Sequence, residues 1–118
     1  MKQNIAADKS FAFAVRIVNL YKHLAENKKE FVLSKQILKS GTSIGANLSE
    51  AECAISKNDF LAKAYIAYKE SSETLYWLGL LKATGYISQK EYDSLFKDCS
   101  ELVKILAATT KTLERNKK

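Results

Sequence analysis

Proline is absent from the 118 residues and glycine occurs only four times. An all-β sandwich or barrel needs closely spaced turns built from those residues, so a mostly helical chain is left. Histidine occurs once, as His23, and cysteine twice, as Cys53 and Cys99. A ferritin-like di-iron bundle requires two Glu-x-x-His motifs, yet Leu20 stands three residues before His23. The two cysteines are 46 positions apart with no Cys-x-x-Cys pair, which excludes the usual zinc patterns. A Ser-His-Asp arrangement would have to use His23, near a helix end and without a nucleophile-elbow sequence. The nearest approach to a phosphate-cradling glycine loop, Gly41-Thr42-Ser43-Ile44-Gly45, lies inside a helical pattern and lacks the lysine. The polar inventory therefore predicts no enzymatic activity, no metal and no cofactor.

Long apolar runs are missing as well. Phe11 to Leu20 is interrupted by Arg16 and lacks a small-residue cleavage site, so it does not read as a signal peptide. No stretch approaches the roughly 18 apolar residues of a membrane span. The expected location is the cytoplasm, where both cysteines are reduced packing residues.

Apolar residues make up 47% of the chain, enough for one core in one domain spanning 1–118. Four helices are predicted, at about 8–26, 34–56, 59–84 and 89–115. In the first, Phe13, Ile17, Leu20 and Leu24 recur at helical spacing. Ser34 is a plausible N-cap for the second, whose core face carries Ile37, Ile44, Leu48, Ala51 and Ile55. The third starts near Asp59 and ends before Gly85, a residue suited to the left-handed C-terminal position. Ser88-Gln89-Lys90-Glu91 has capping-box spacing at the start of the fourth. There Tyr92, Leu95, Phe96, Cys99, Leu102, Val103, Leu106 and Leu113 occupy one heptad face. Short connections between long helices predict an all-α, antiparallel up-down-up-down four-helix bundle.

The second helix carries a polar stripe opposite its apolar face: Gln36, Ser40, Ser43, Asn47 and Glu50. It contains no lysine, unlike the other polar faces of the chain. Two readings stand: a solvated face, or a tightly packed, hydrogen-bonded helix or subunit contact. Gly41 and Gly45 each cost about 1 kcal/mol in a helix interior, and close approach of another helix is the usual offset. The third helix has more apolar residues than one core can use, including Tyr65, Tyr68, Tyr76 and Trp77. That surplus is either a broad core sector with a few exposed aromatics or the interface of a homo-oligomer. Glu70 and Glu73, three residues apart, are expected to pair with Lys63, Lys69 or a base of a neighbouring subunit.

Nineteen Lys and Arg against 13 Asp and Glu give a formal charge of +6. Lys90, Lys97, Lys104, Lys111 and Lys118 recur every seven residues, and Lys2, Lys9 and Arg16 repeat the interval on the first helix. With Cys99 and Leu106 at heptad position a, the first row lies at f, the outermost position. It is either a solvated face, partly neutralised by Asp93, Glu101 and Glu114, or a ridge that meets phosphate. No arginine cluster or RNA-recognition motif points to sequence-specific readout.

Several separated runs between residues 31 and 113 are familiar in order. They are Ser40-Gly41-Thr42-Ser43-Ile44-Gly45-Ala46-Asn47-Leu48-Ser49-Glu50-Ala51-Glu52, Ser56-Lys57-Asn58-Asp59-Phe60, Ile66-Ala67-Tyr68-Lys69-Glu70, Glu73-Thr74-Leu75-Tyr76-Trp77-Leu78 and Gly85-Tyr86-Ile87. The chain resembles the four-helix bundle family whose founding members are encoded in intervening sequences of bacterial 23S ribosomal RNA genes. It is also similar to the accessory proteins of diversity-generating retroelements, which bind nucleic acid and a reverse transcriptase. The resemblance implies a ring-shaped homopentamer with a basic surface and association with ribosomal RNA or another structured nucleic acid. By position, Ser43, Asn47 and Glu50 match the family's signature on the second helix and Glu73 its glutamate on the third. Gln36, Ser40 and Trp77 complete the set expected to pack or form an interface. Part of the family has Gly after the signature glutamate, where this chain has Ala51. The expectation is a homo-oligomer that binds structured RNA or DNA electrostatically, with an oligomeric protein-interaction scaffold as the alternative.

Overall fold

Local signals place the boundaries of α1 (Ile5–Glu26), α2 (Leu33–Ala51), α3 (Lys57–Ala83) and α4 (Gln89–Asn116). The computed structural model describes residues 4–116; Lys2 and Lys118 lie outside them. Asn4 caps α1, its side chain accepting from the Ala7 N–H at 3.0 Å. At α2 the cap is not Ser34. The Glu30 carboxylate accepts from the backbone N–H groups of Val32, Leu33 and Ser34 at 3.2, 3.0 and 2.7 Å, while the Ser34 hydroxyl donates back to the Glu30 carbonyl. A carboxylate upstream of the helix thus satisfies donors that a serine cap would leave to water.

The α2–α3 boundary falls earlier than the periodicity suggests. The Ser56 hydroxyl accepts from the Asp59 N–H, and the Asp59 carboxylate accepts from the Ile55 N–H, so α3 begins at Lys57. With α2 stopped at Ala51, Ile55 leaves the core face and is 94% exposed. The other boundaries match their signals. Gly85 has φ +84°, and hydrogen bonds from Gly85 N–H to the Lys82 carbonyl and from Tyr86 N–H to the Leu81 carbonyl complete a Schellman motif. Ser88 and Glu91 form the reciprocal capping box, at 2.8 and 3.1 Å.

The four helices form an all-α bundle with extents of 48 × 25 × 20 Å. Each helix packs on its neighbours in sequence and α4 returns beside α1, leaving α2 and α4 diagonal. Phe13, Ile17, Leu20 and Leu24 are all buried, as are Ile37, Ile44, Leu48 and Ala51 of α2 and Leu95, Cys99, Leu102 and Leu106 of α4. Tyr92, Val103 and Leu113 are half-buried and Phe96 is exposed, while Thr110 takes a buried place at the same spacing. The two glycines of α2 are explained inside the chain. A Cβ on Gly41 would stand 2.8 Å from the Ile17 side chain, and one on Gly45 3.2 Å from the Ser10 hydroxyl. Close approach of α1 is therefore what offsets their low helix propensity. Among the described residues, no helix is long and apolar enough to cross a membrane.

Candidate nucleic-acid interface and signature face

The lysines of α4 depend on where the acids beside them go. Glu101 forms an ion pair with Lys9 of α1. Asp98 takes Arg16 at 2.7 Å, and Arg16 also donates to the Ser94 hydroxyl at 2.8 Å. Asp93 accepts from the Gln89 amide at 2.8 Å. The contacts of Lys9 and Arg16 close the seam between α1 and α4, the least extensive of the four helix contacts, whereas the Gln89–Asp93 bond stays within α4. Lys90, Lys97, Lys104 and Lys111 remain exposed, about 10 Å apart along the helix, and none forms an ion pair among the described residues. The neutralisation expected from Asp93 and Glu101 is thus redirected to Gln89 and to α1. The same contacts separate Lys9 and Arg16 from the row: both are engaged in the seam. Lys118 lies outside the described residues.

The polar stripe of α2 does not lie opposite the core; its inner members face α3. Ser40 is buried and its hydroxyl is 2.9 Å from that of Thr74, which also donates to the Glu70 carbonyl. The position is sandwiched between α2 and α3, where a small hydroxyl fits and a longer polar group would not. Ser43 and Asn47 are half-buried: the Ser43 hydroxyl donates to the Lys39 carbonyl and the Asn47 amide to the Ser43 carbonyl, both one turn back. Gln36 is exposed at one end. At the other, Glu50 pairs with Lys63 of α3 at 3.0 Å, and hydrogen bonding to Glu50 raises the pKa of Lys63.

The expected pairing of Glu70 and Glu73 takes a different form. Lys63 is committed to Glu50, and Glu73 instead accepts from the Trp77 indole N–H at 3.0 Å. Glu70 is half-buried, and its pKa is raised first by burial and then by the Glu73 charge, with Lys39 and Lys69 opposing. Gln36, Ser43, Asn47 and Glu50 of α2 thus flank the same seam as Glu70, Glu73 and Trp77 of α3. Thr74, Lys39 and Lys63 complete this face. Lys63 was expected as an ion-pair partner, though of Glu70 or Glu73, while the places of Thr74 and Lys39 on this face depend on how α3 packs against α2.

The remaining polar groups are dispersed. Cys99 is buried, its thiol lies 3.3 Å from the Ser71 carbonyl, and burial pushes its pKa up to about 12, so it is an inert packing group. Cys53 is exposed on the turn after α2, which corrects its expected packing role. His23 is exposed at the end of α1, 3.2 Å from the Asn27 side chain. Among the described residues, no three His, Cys, Asp or Glu side chains gather closely enough to hold a metal ion.

The family model described as 23S rRNA-intervening sequence protein matches residues 2–108, extending the likeness through α1. Among solved structures, a protein with unknown function from the S23 ribosomal protein family of Bacteroides thetaiotaomicron VPI-5482 is 57% identical, with a TM-score of 0.90. That match covers 94% of this chain and 99% of the other. No curated protein matches. With a family model over nearly its whole length and a bundle that superposes on an S23 structure, the chain belongs to the 23S rRNA-intervening sequence protein family.

Proposed function

We propose that the protein is a non-enzymatic, cytoplasmic homo-oligomer, a pentamer, that binds structured RNA or DNA through the α4 lysine ridge without reading sequence. The observation that carries this reading is the row Lys90, Lys97, Lys104 and Lys111, exposed at a regular interval while Glu101 and Asp98 are paired with α1 and Asp93 accepts from Gln89. A straight row of point charges suits the phosphate backbone. Neutralising phosphates releases counterions, which provides affinity independent of base identity. Assembly multiplies the field: a formal +6 per chain becomes about +30 in five copies. The family's link to 23S ribosomal RNA genes makes ribosomal RNA the first ligand to try.

The test is binding to a structured 23S ribosomal RNA fragment at low and moderate salt, with Lys97, Lys104 and Lys111 changed together to Glu. Tight binding by the natural chain that weakens steeply with salt and vanishes in the variant supports the reading. Absence of binding at low salt, with the oligomer intact, contradicts it.

A further inference from the structure

Away from the α4 ridge, the structure exposes two surfaces of nearly opposite shape. One is a groove of about 370 Å³ on the outer side of α1 and α2, lined by Ala7, Ser10, Ala14, Thr42, Gly45 and Ala46, with Phe11 on its edge. The close approach of α2 to Ser10 makes its floor small and shallow, and Phe11 is 71% exposed. Its rim is acidic at one end, where Glu52 lines the groove and Asp8, exposed, follows the lining residue Ala7 in α1. The other surface is the solvent side of α3. This helix carries apolar residues all round instead of on one stripe, and Tyr65, Ile66 and Tyr76 are exposed. Tyr76, at 63% exposure, stands edge-on to the Trp77 ring at 5.1 Å. Lys69, on the same side, is exposed and forms no ion pair among the described residues.

The two surfaces share a register. Tyr76 and Lys69 are seven residues apart, about 10 Å along α3; Ala46 and Glu52, the C-cap of α2, are six apart, about 9 Å at the helical rise. We propose that a second copy of this chain inserts Tyr76 into the α1/α2 groove, against Ala46 and Phe11, with its Lys69 at the acidic rim formed by Glu52 and Asp8. The inference deepens the assembly half of the proposed function and rests on it.

Charge selects the occupant. Copies carrying +6 each repel wherever their lysine-rich faces meet. The groove lining holds no basic residue. On the α3 surface Glu73 accepts from the Trp77 indole, and Lys69, its one lysine beside Tyr76, is the charge that meets the carboxylates of the rim. One chain therefore carries both halves of a complementary contact, with an aromatic anchor entering a small-residue pocket at its centre. Groove and ridge belong to different sides of the bundle, so the contact is heterologous and repeats head to tail, closing into a ring when the rotation permits. Because α4 is diagonal to α2, the lysine row stays in solvent when the groove is filled.

Two exposed positions test this by complementation. Ala46→Trp fills the groove and leaves the ridge; Tyr76→Asp removes the ridge and leaves the groove. Phe11→Asp is a second groove variant, and circular dichroism melts check that each folds. By light scattering at micromolar concentration, each variant alone is expected to have the mass of one chain. An equimolar mixture of Ala46→Trp and Tyr76→Asp is expected to form a one-to-one dimer, since one intact groove and one intact ridge remain. Variants that stay assembled, or a mixture that stays monomeric, overturn this contact while leaving the assembly reading standing. A natural chain that is itself monomeric overturns both.

Discussion

Glu101 of α4 pairs with Lys9 of α1 and not with Lys97 or Lys104 on its own helix. The choice matters because α1 and α4 share the least extensive contact in the bundle, and polar groups close much of it: Lys9 with Glu101 and Arg16 with Asp98 and Ser94. Carboxylates that would have quenched the outer lysines instead hold the first helix against the last. The chain's fold and its basic ridge are thereby linked through the same acids.

Replacing Glu101 with Gln separates these two roles. Both side chains of its pair are about half exposed, 45% and 48%, so solvent screens the pair and the loss of stability is expected to be small. Nucleic-acid affinity should be unchanged or slightly higher, since a carboxylate near the ridge is removed. A thermal melt and a binding titration on the same variant check both. A clear fall in affinity contradicts the assignment of Glu101 to the seam.

Gly41→Ala sets helix propensity against packing. Propensity alone favours alanine by about 1 kcal/mol. The new Cβ would meet two carbons of the Ile17 side chain at 2.8 and 2.9 Å, and such overpacking costs about 1–3 kcal/mol. The variant is expected to melt lower than the natural chain, and a higher melting temperature shows that α1 yields more easily than its packing indicates. Gly45→Ala, facing the Ser10 hydroxyl at 3.2 Å, should be much milder.

Three glutamates give stability a pH dependence of two signs. At Glu30, burial works to raise the pKa, but hydrogen bonds from the N–H groups of Leu33, Ser34 and Val32 outweigh it and hold the group below its ordinary value. At Glu91, hydrogen bonding to Ser88 lowers it. Both contribute stability above the usual glutamate value of about 4.3, and that stability is lost as pH falls through their lowered folded-state values. Glu70 runs the other way: its raised pKa means the ionised form is disfavoured by folding, so the penalty is present at neutral pH and disappears in acid. Glu70→Gln should therefore raise the melting temperature at pH 7 and lose that gain below about pH 4, whereas Glu91→Gln should lower it at pH 7 and converge with the natural chain in acid. Melts across pH 3–8 check the signs; a Glu70→Gln gain that persists undiminished in acid contradicts them.

Local chemistry made much of the fold legible. Ser88 with Glu91, Gly85 and the stripe from Phe13 to Leu24 each contain a complete physical instruction within a few residues, and all three act as their spacing implies. The α2 boundaries were harder to read because they depend on side chains outside the helix: Glu30 supplies the cap that Ser34 was expected to give, and Asp59 with Ser56 starts α3 early and strands Ile55 in solvent. Ser40 illustrates a third limit. Its helical spacing is visible, but its burial depends on Thr74, which lies 34 residues away and reaches it only through the packing of α3. The lysine interval was plain in the sequence; the fate of the neighbouring acids was not, because Lys9 and Arg16 are brought to Glu101 and Asp98 by the tertiary fold.

The most direct measurement of the central claim is the salt dependence of RNA affinity for the natural chain and for a variant with Lys97, Lys104 and Lys111 changed to Gln. Each lysine that neutralises a phosphate contributes roughly 0.7–0.9 to the slope of log K against log salt, so removing these three charges should make the slope shallower by about 2–3 per chain. That result, with assembly intact, assigns the α4 ridge to phosphate. An unchanged slope and affinity would contradict the account.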